Sequence, residues 1–155
     1  MRILGLDLSI ASTGWAVHND GVPTAYGTVA TEVGDLPPRL FRITRNINLI
    51  LNTYEPDHVF IEDVVASKEF PMTAVDLAKL HGAVLFMLFA KSITPVYVRQ
   101  QTWKKHVLGS ARKDKKDIRK WVADTFNIKL RTKEQDQADA ICISRYGYLV
   151  CEGRL

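Results

Sequence analysis

The chain has 155 residues, which is enough for one domain with a hydrophobic core and too few for two. Its composition, 46% hydrophobic and 25% charged, is ordinary for a globular protein and excludes a fibrous or disordered chain. The net charge is +4, but residues 99–133 contain twelve Lys and Arg against three acidic residues, which leaves −5 on the remainder. A basic segment in an otherwise acidic chain predicts a polyanionic partner, although a solvated helix face gives the same pattern.

Nothing in the sequence predicts secretion or a membrane span. The N-terminus begins directly with a strand pattern instead of a signal peptide. The longest apolar run, residues 82–90, is much shorter than the roughly 18 residues that a membrane span needs. Cys142 and Cys151 form no zinc or CxxC pattern, so they are expected to be reduced thiols. We therefore expect a cytoplasmic protein with no membrane partner.

The first half of the chain predicts an antiparallel meander followed by a helix. Residues 2–8, 14–18 and 25–30 have strand patterns, and Asn19-Asp20-Gly21 suits a hairpin turn between the second and third. Residues 37–54 have apolar side chains at helical spacing, with a proline in the first turn. Residues 58–65 are rich in β-branched side chains and predict a fourth strand.

The second half predicts helices around one further strand. Residues 73–91 predict a helix that is apolar nearly all round and so needs cover on two sides. Residues 94–98 predict a fifth strand, residues 99–108 a short helix or loop, and residues 114–126 and 134–150 two more helices. This order predicts a single α/β domain over residues 1–155, with a mixed five-stranded sheet flanked by helices.

Four carboxylates have the positions expected of a metal site. Asp7 and Glu62 each lie in an apolar strand, where a carboxylate is costly to bury unless it is paired or binds a metal ion. Asp136 and Asp139 have i, i+3 spacing and so share one face of the last predicted helix. Oxygen ligands suit Mg²⁺ or Mn²⁺, and two such ions can activate water for phosphodiester cleavage. Each carboxylate alone is more often a cap or an ion-pair partner.

Five segments, in order along nearly the whole chain, resemble the RuvC family of Holliday-junction resolvases. They are LGLDLSIASTGWAV (residues 4–17), DLPPRL (35–40), IEDV (61–64), GSARK (109–113) and DQADA (136–140). Leu8 stands where the family has proline. The resemblance implies a ribonuclease H-like fold and metal-dependent cleavage of branched DNA, above all four-way junctions. It also implies a homodimer, and a helicase partner that the sequence does not identify. The chain resembles a phage or prophage member of the family as well as a bacterial one.

The family's functional residues transfer to particular positions of this chain. Its catalytic, metal-binding acids fall on Asp7, Glu62, Asp136 and Asp139, with two Mg²⁺ ions as the implied cofactor and Mn²⁺ as a substitute. Its DNA-contacting lysines best match Lys68, Lys104 and Lys113, and the basic segment adds Lys105, Arg112, Lys115 and Lys116. The aromatic residue that wedges the junction open is replaced by Val65, and Phe70 is the nearest aromatic that could take that role.

Other residues and functions stay open at this stage. Asp63 is expected on the opposite face of its strand from Glu62, and His81 is read as a core or interface histidine. Trp103 either stacks on DNA or anchors a short helix. A dimer is expected through the helix at residues 73–91, because its apolar surface exceeds what one sheet covers. The alternative functions are a non-catalytic branched-DNA-binding protein, a ribonuclease H-type nuclease acting on RNA–DNA hybrids, and an actin-like or sugar-kinase ATP-binding domain.

Overall fold

Five strands form one mixed sheet in the computed structural model, which describes residues 1–64 and 71–155. Strands β1 (Arg2–Asp7), β2 (Ser12–Asn19) and β3 (Val22–Ala30) form the predicted antiparallel meander, and β4 (His58–Glu62) and β5 (Val96–Val98) extend it. The spatial order is β3-β2-β1-β4-β5, with β4 parallel to β1 and β5 parallel to β4. The predicted mixed sheet is confirmed. Because β1, β4 and β5 are parallel, their carboxyl-terminal ends lie together at one edge of the sheet.

Two predicted strands are shorter than the sequence pattern suggested. The fourth ends at Glu62 instead of residue 65, and the fifth begins at Val96 instead of Thr94. Pro95 has no backbone N–H to donate to a neighbouring strand, so regular pairing begins after it. The hairpin between β2 and β3 forms at Asp20 and Gly21, which both have positive φ, as its sequence predicted.

Helices cover both faces of the sheet. Helices α1 (Leu36–Tyr54) and α2 (Pro71–Ala90) pack against one face. Helices α3 (Gln100–Leu108), α4 (Lys115–Phe126) and α5 (Gln135–Cys151) pack against the other, which we call the α5 face. The short segment after β5 is therefore a helix and not a loop.

Helix α2 buries only one of its apolar sides. Leu80, Val84 and Leu88 are buried in the core, but Phe86 is 78% exposed and Phe89 is 57% exposed. The segment Met72–Ala90 is long and apolar enough to cross a membrane by length and composition, with 22% of it buried. The sequence argument considered only the uninterrupted apolar run at residues 82–90, whereas this criterion takes the mean hydropathy over the helix.

Helix α5 lies unusually close to the sheet because glycines face it. A Cβ atom on Gly5 of β1 would lie 2.5 Å from the backbone oxygen of Ala140 and from the backbone nitrogen of Ser144. The hydroxyl of Ser144 lies 2.7 Å from Nδ1 of His18, a buried residue of β2. This close packing sets the position of the first turn of α5 over the ends of β1 and β2.

Candidate active site

Asp7 and Glu62 occupy the last positions of two neighbouring parallel strands. Asp7 ends β1 and Glu62 ends β4, and the two strands are paired up to Leu6 and Ile61. Leu6 and Ile61 point into the core beneath α1 and α2, so strand alternation places the two carboxylates on the α5 face. The structure therefore brings these two predicted residues together at one edge of the sheet.

Asp136 and Asp139 reach the same edge from the first turn of α5. A Cβ atom on Gly14, which pairs with Asp7 in the sheet, would lie 2.0 Å from the backbone oxygen of Asp136. Only glycine permits this approach of the helix to β2. The hydroxyl of Ser12 donates a hydrogen bond to Oδ2 of Asp136, which ties the carboxylate to the start of the same strand.

The pKa values of the acids show that they share one electrostatic environment. Burial raises the pKa of Asp7 well above its ordinary value, and the charges of Asp139, Glu62 and Asp136 raise it further. Burial also raises the pKa of Asp139 to about 7, despite a hydrogen bond from Gln135 that lowers it. Burial raises the pKa of Glu62 as well. Carboxylates that are buried beside one another in this way are stabilised by a bound cation.

Neighbouring side chains orient two of the carboxylates. Nε1 of Trp103 donates to Oε2 of Glu62 over 2.7 Å, and Nε2 of Gln100 donates to Oε1 over 3.3 Å. Nε2 of Gln135 donates to Oδ1 of Asp139 over 2.9 Å. Trp103 is fully buried, so it anchors α3 and is not available to stack on DNA. Sequence reasoning missed the hydrogen bonds to Glu62 and the one from Ser12, because no local pattern links residues so far apart in the chain. It also missed the bond from Gln135 to Asp139, although their i, i+4 spacing on one helix was a signal for it.

The donor set suits hard divalent cations. All four side chains offer only carboxylate oxygen, the ligand that Mg²⁺ and Mn²⁺ prefer. As the side chains stand, no group of three or more Asp, Glu, His or Cys residues within residues 1–64 and 71–155 is arranged to hold a metal ion. The hydrogen bonds from Gln100, Trp103, Gln135 and Ser12 engage three of the four carboxylates instead. The chemistry of the residues fits a metal site, and the carboxylates would exchange some of these bonds for metal ligation.

The predicted basic residues differ in how near they lie to the acids. The charge of Lys104 lowers the pKa of both Glu62 and Asp139, and the charge of Lys115 lowers the pKa of Asp7. The charge of Lys113, the family match in the loop, is not among the main influences on these three acids. Lys104 and Lys115 are thus the predicted basic residues whose charges act most on the carboxylates. The other predicted basic residues with described positions are exposed: Lys105 on α3, Arg112 between α3 and α4, and Lys116 on α4.

A pocket of about 740 Å³ opens beside the acids. Asp7 and Glu62 line it, together with Asp63, His81 and Arg99. Asp63 follows the end of β4, and its charge raises the pKa of His81 of α2 against the larger lowering effect of burial. His81 is buried, as predicted, and its ring stacks on Tyr97 of β5 at 6.0 Å. The predicted DNA contact Lys68 and the predicted wedge residues Val65 and Phe70 lie outside the described residues.

Comparison with known proteins identifies a single family. Residues 3–145 match the family model described as crossover junction endodeoxyribonuclease RuvC. The RuvC protein of Brevibacillus brevis is 31% identical over 154 residues, covering 93% of this chain and 89% of that protein. The RuvC protein of Syntrophomonas wolfei is 27% identical over 154 residues, covering 93% and 86%. The structure of Thermus thermophilus RuvC in complex with a Holliday junction substrate is similar in fold, with a TM-score of 0.83 at 18% identity over 99% of this chain and 97% of that one.

Proposed function

Because this chain belongs to the RuvC family of crossover junction endodeoxyribonucleases, we propose that it resolves four-way DNA junctions by hydrolysing one phosphodiester bond in each of two strands. Hydrolysis forms a bond from a water oxygen to phosphorus and breaks the bond from phosphorus to one ester oxygen. The water loses a proton and the departing oxygen gains one. The observation that carries the proposal is the convergence of Asp7, Glu62, Asp136 and Asp139 at one edge of the sheet.

The family depends on a divalent metal ion, and we propose that these four carboxylates hold two Mg²⁺ ions, with Mn²⁺ as a substitute. Such ions lower the pKa of a bound water and neutralise charge on the phosphate. Asp7 lies under the influence of all three other acids, so it would be one of the residues that hold the metal. Trp103 and Gln100 hold Glu62 in place in the metal-free protein, and Gln135 holds Asp139, so the hydrogen bonds that remain on metal binding would help to direct these two ligands.

Lysines on the same side of the sheet suit binding of the DNA backbone. Lys104 and Lys115 lie near enough to the acids to influence them electrostatically, so we assign them to the phosphates around the cleavage point. A further basic surface extends along α3 and α4 and suits the junction arms. It consists of exposed Lys105, Arg112 and Lys116 and half-buried Lys113.

Helix α2 provides the surface for a homodimer in this proposal. A groove lined by exposed Phe41 of α1 and by Phe86 and Met87 of α2 runs between the two helices, and Phe89 of α2 is also exposed. A large exposed apolar surface on a single protein marks a binding site. A two-fold dimer would use the same surface twice and present two active sites to two strands of one junction. The same surface explains why α2 is apolar enough to resemble a membrane span.

One experiment separates this function from its alternatives. Wild-type protein and Mg²⁺ are incubated in three parallel reactions, each with one substrate: a four-way junction, a linear duplex of the same sequence, or an RNA–DNA hybrid. We expect rapid cleavage of the junction alone. Cleavage of the hybrid instead would indicate a ribonuclease H-type enzyme, and tight junction binding without cleavage would indicate a non-catalytic binding protein.

Matched variants connect the activity to the site. Glu62→Gln and Asp139→Asn are expected to abolish cleavage and to keep junction binding, because each removes a metal ligand and leaves the basic surface unchanged. Glu152→Gln, at the opposite end of α5 from Asp139, is the matched control and should cleave at the wild-type rate. Cleavage by Glu62→Gln at that rate would refute the assigned metal site.

A further inference from the structure

Two consecutive hydrogen bonds join helix α4 to one of the four acids. Nη1 of Arg119 in α4 donates to Oε1 of Gln135, and Nε2 of Gln135 donates to Oδ1 of Asp139 over 2.9 Å. We call these three side chains the α4 network. Gln135 and Asp139 are one turn apart on α5, whereas Arg119 precedes Gln135 by 16 residues. The first bond therefore depends on the packing of α4 on α5, in which Ile118 and Val122 are buried.

The guanidinium of Arg119 determines which end of the Gln135 amide faces the acid. A guanidinium has only N–H donors, so it binds the amide at its oxygen and leaves the NH2 group for the opposite side. On that side an ionised Asp139 only accepts, so it receives an amide proton. Gln135 is 6% exposed, so water offers its amide few other partners. Without Arg119, a half turn of the amide would set its oxygen against the carboxylate, and the two would repel each other.

The charge of Arg119 is directed at this amide. Within residues 1–64 and 71–155 its half-buried side chain forms no ion pair, whereas neighbouring Lys120 is paired with Asp124 on the exposed side of α4. A charged donor makes a stronger hydrogen bond than a neutral one and polarises the group that accepts it. The amide of Gln135 consequently becomes a better donor to Asp139.

The bond from Gln135 engages one oxygen of Asp139 and leaves the other for a metal ion. Because the amide donates to Oδ1, Oδ2 is the oxygen that can ligate a metal without breaking the α4 network. A carboxylate that is held at one oxygen keeps the direction of the other. Loss of such a partner of a metal ligand lowers metal affinity or activity by roughly 10–100-fold.

We propose that Arg119 is a positioning residue, which acts through the amide of Gln135 to direct Oδ2 of Asp139 toward a bound metal ion. The proposal rests on the proposed function, because it takes Asp139 as a metal ligand. Arg119 lies on the helix that also carries Lys115 and Lys116, so the helix that we assign to the DNA backbone also supports the metal site.

Binding of Mn²⁺ to the DNA-free protein tests the α4 network, with the electron paramagnetic resonance signal of unbound Mn²⁺ as the readout. Arg119→Met removes the first donor, and Gln135→Met removes both hydrogen bonds at similar volume. Each should weaken Mn²⁺ binding by roughly tenfold or more. The double variant should bind as Gln135→Met does, because Arg119 acts only through that amide. Wild-type affinity in Arg119→Met, or losses that multiply in the double variant, would overturn the proposal.

Two further variants separate positioning from a simple loss of charge. Arg119→Lys retains a charged donor and should keep most of the wild-type Mn²⁺ affinity. Lys120→Gln removes the neighbouring charge, which belongs to an exposed ion pair, and should bind Mn²⁺ as the wild type does. An equal loss in Lys120→Gln and Arg119→Met would assign the effect to net charge and overturn the proposal.

A measurement on the wild type covers the case in which Arg119→Met does not fold, as shown by its melting in EDTA. The side-chain NH2 group of Gln135 should exchange its protons with water slowly in nuclear magnetic resonance spectra, and fast exchange would overturn the proposal. Because Mn²⁺ binding is measured without DNA, a wild type that binds Mn²⁺ and cuts no junction would contradict the proposed function alone. A wild type that binds no Mn²⁺ would overturn both.

Discussion

At the scale of single residues, Gly14 controls how closely the acids of α5 approach those of the sheet. A methyl group there would lie 2.0 Å from the backbone oxygen of Asp136, so Gly14→Ala must displace the first turn of α5. A displacement of about 1 Å at a catalytic group costs roughly 100-fold in rate, and we expect at least that loss in junction cleavage. Gly34→Ala is the control, because nothing lies within 4 Å of its added atom. Near wild-type cleavage by Gly14→Ala would contradict the close packing.

The raised pKa of Asp139 predicts how stability depends on pH in the metal-free protein. The pKa is about 7 in the folded protein, so the folded state keeps a proton that the unfolded chain releases near its ordinary value of about 3.9. The unfolding free energy should therefore fall as pH rises from about 4 to about 7. Thermal unfolding in EDTA across this range measures the effect.

Two variants and one addition test the origin of that pH dependence. Asp139→Asn should flatten it, whereas Asp124→Asn, which alters an exposed ion pair with Lys120, should leave it unchanged. Added Mg²⁺ should raise the melting temperature most above pH 7, where the carboxylates are ionised and free to bind it. An equal pH dependence in wild type and Asp139→Asn would assign it to other groups.

At the scale of elements, α2 decides whether the protein is a dimer. Phe86 is 78% exposed, so Phe86→Asp should change the stability of a monomer by no more than about 0.5 kcal/mol. At the centre of a dimer interface the same change should cost about 2 kcal/mol or more and weaken association by at least roughly 30-fold. Sedimentation at micromolar concentration measures it. Val33→Asp, at a 99% exposed position before α1, is the control. A wild-type protein that sediments as a monomer and still resolves junctions would exclude the dimer.

Helix α4 should carry much of the electrostatic attraction to DNA. Changing Lys113, Lys115 and Lys116 together to Ala should reduce the salt dependence of junction binding, by about 0.9 in the log–log slope for each phosphate that the variant no longer neutralises. Among the single variants, Lys115→Ala should slow cleavage most, because the charge of Lys115 acts most strongly of the three on Asp7. Lys120→Ala removes a lysine that is paired with Asp124 and should leave the slope unchanged. An unchanged slope in the triple variant would place the DNA on another surface.

At the scale of the whole molecule, one chain brings all four acids of the proposed site together by itself. A dimer would thus contain two complete sites, and cleavage of one strand would not require the partner's carboxylates. Mixed dimers of wild type and Glu62→Gln, purified through two different affinity tags, should nick one strand of a junction and leave the other intact. Purified wild-type dimers should cut both strands. A mixed dimer that cuts neither strand would show that the two sites share ligands.

The sequence alone determined the parts of this protein that depend on short-range geometry. Apolar strand patterns singled out Asp7 and Glu62 as carboxylates that need a partner, helical spacing paired Asp136 with Asp139, and turn residues located the β2–β3 hairpin. The order of motifs along the chain then indicated the family, which the match over residues 3–145 shows. These features follow from the backbone's fixed periods, and so they can be read from a few adjacent residues.

Tertiary structure alone decided which distant residues meet. The hydrogen bond from Trp103 to Glu62, the influence of Lys115 on Asp7, and the entry of His81 and Arg99 into one pocket link elements far apart in the chain. The exposed side of α2 was hidden for the same reason, since a helix that is apolar all round does not reveal which side faces the sheet. Such contacts depend on the packing of every element at once, with glycines at Gly5 and Gly14 setting the distance between α5 and the sheet, and no local period encodes that distance.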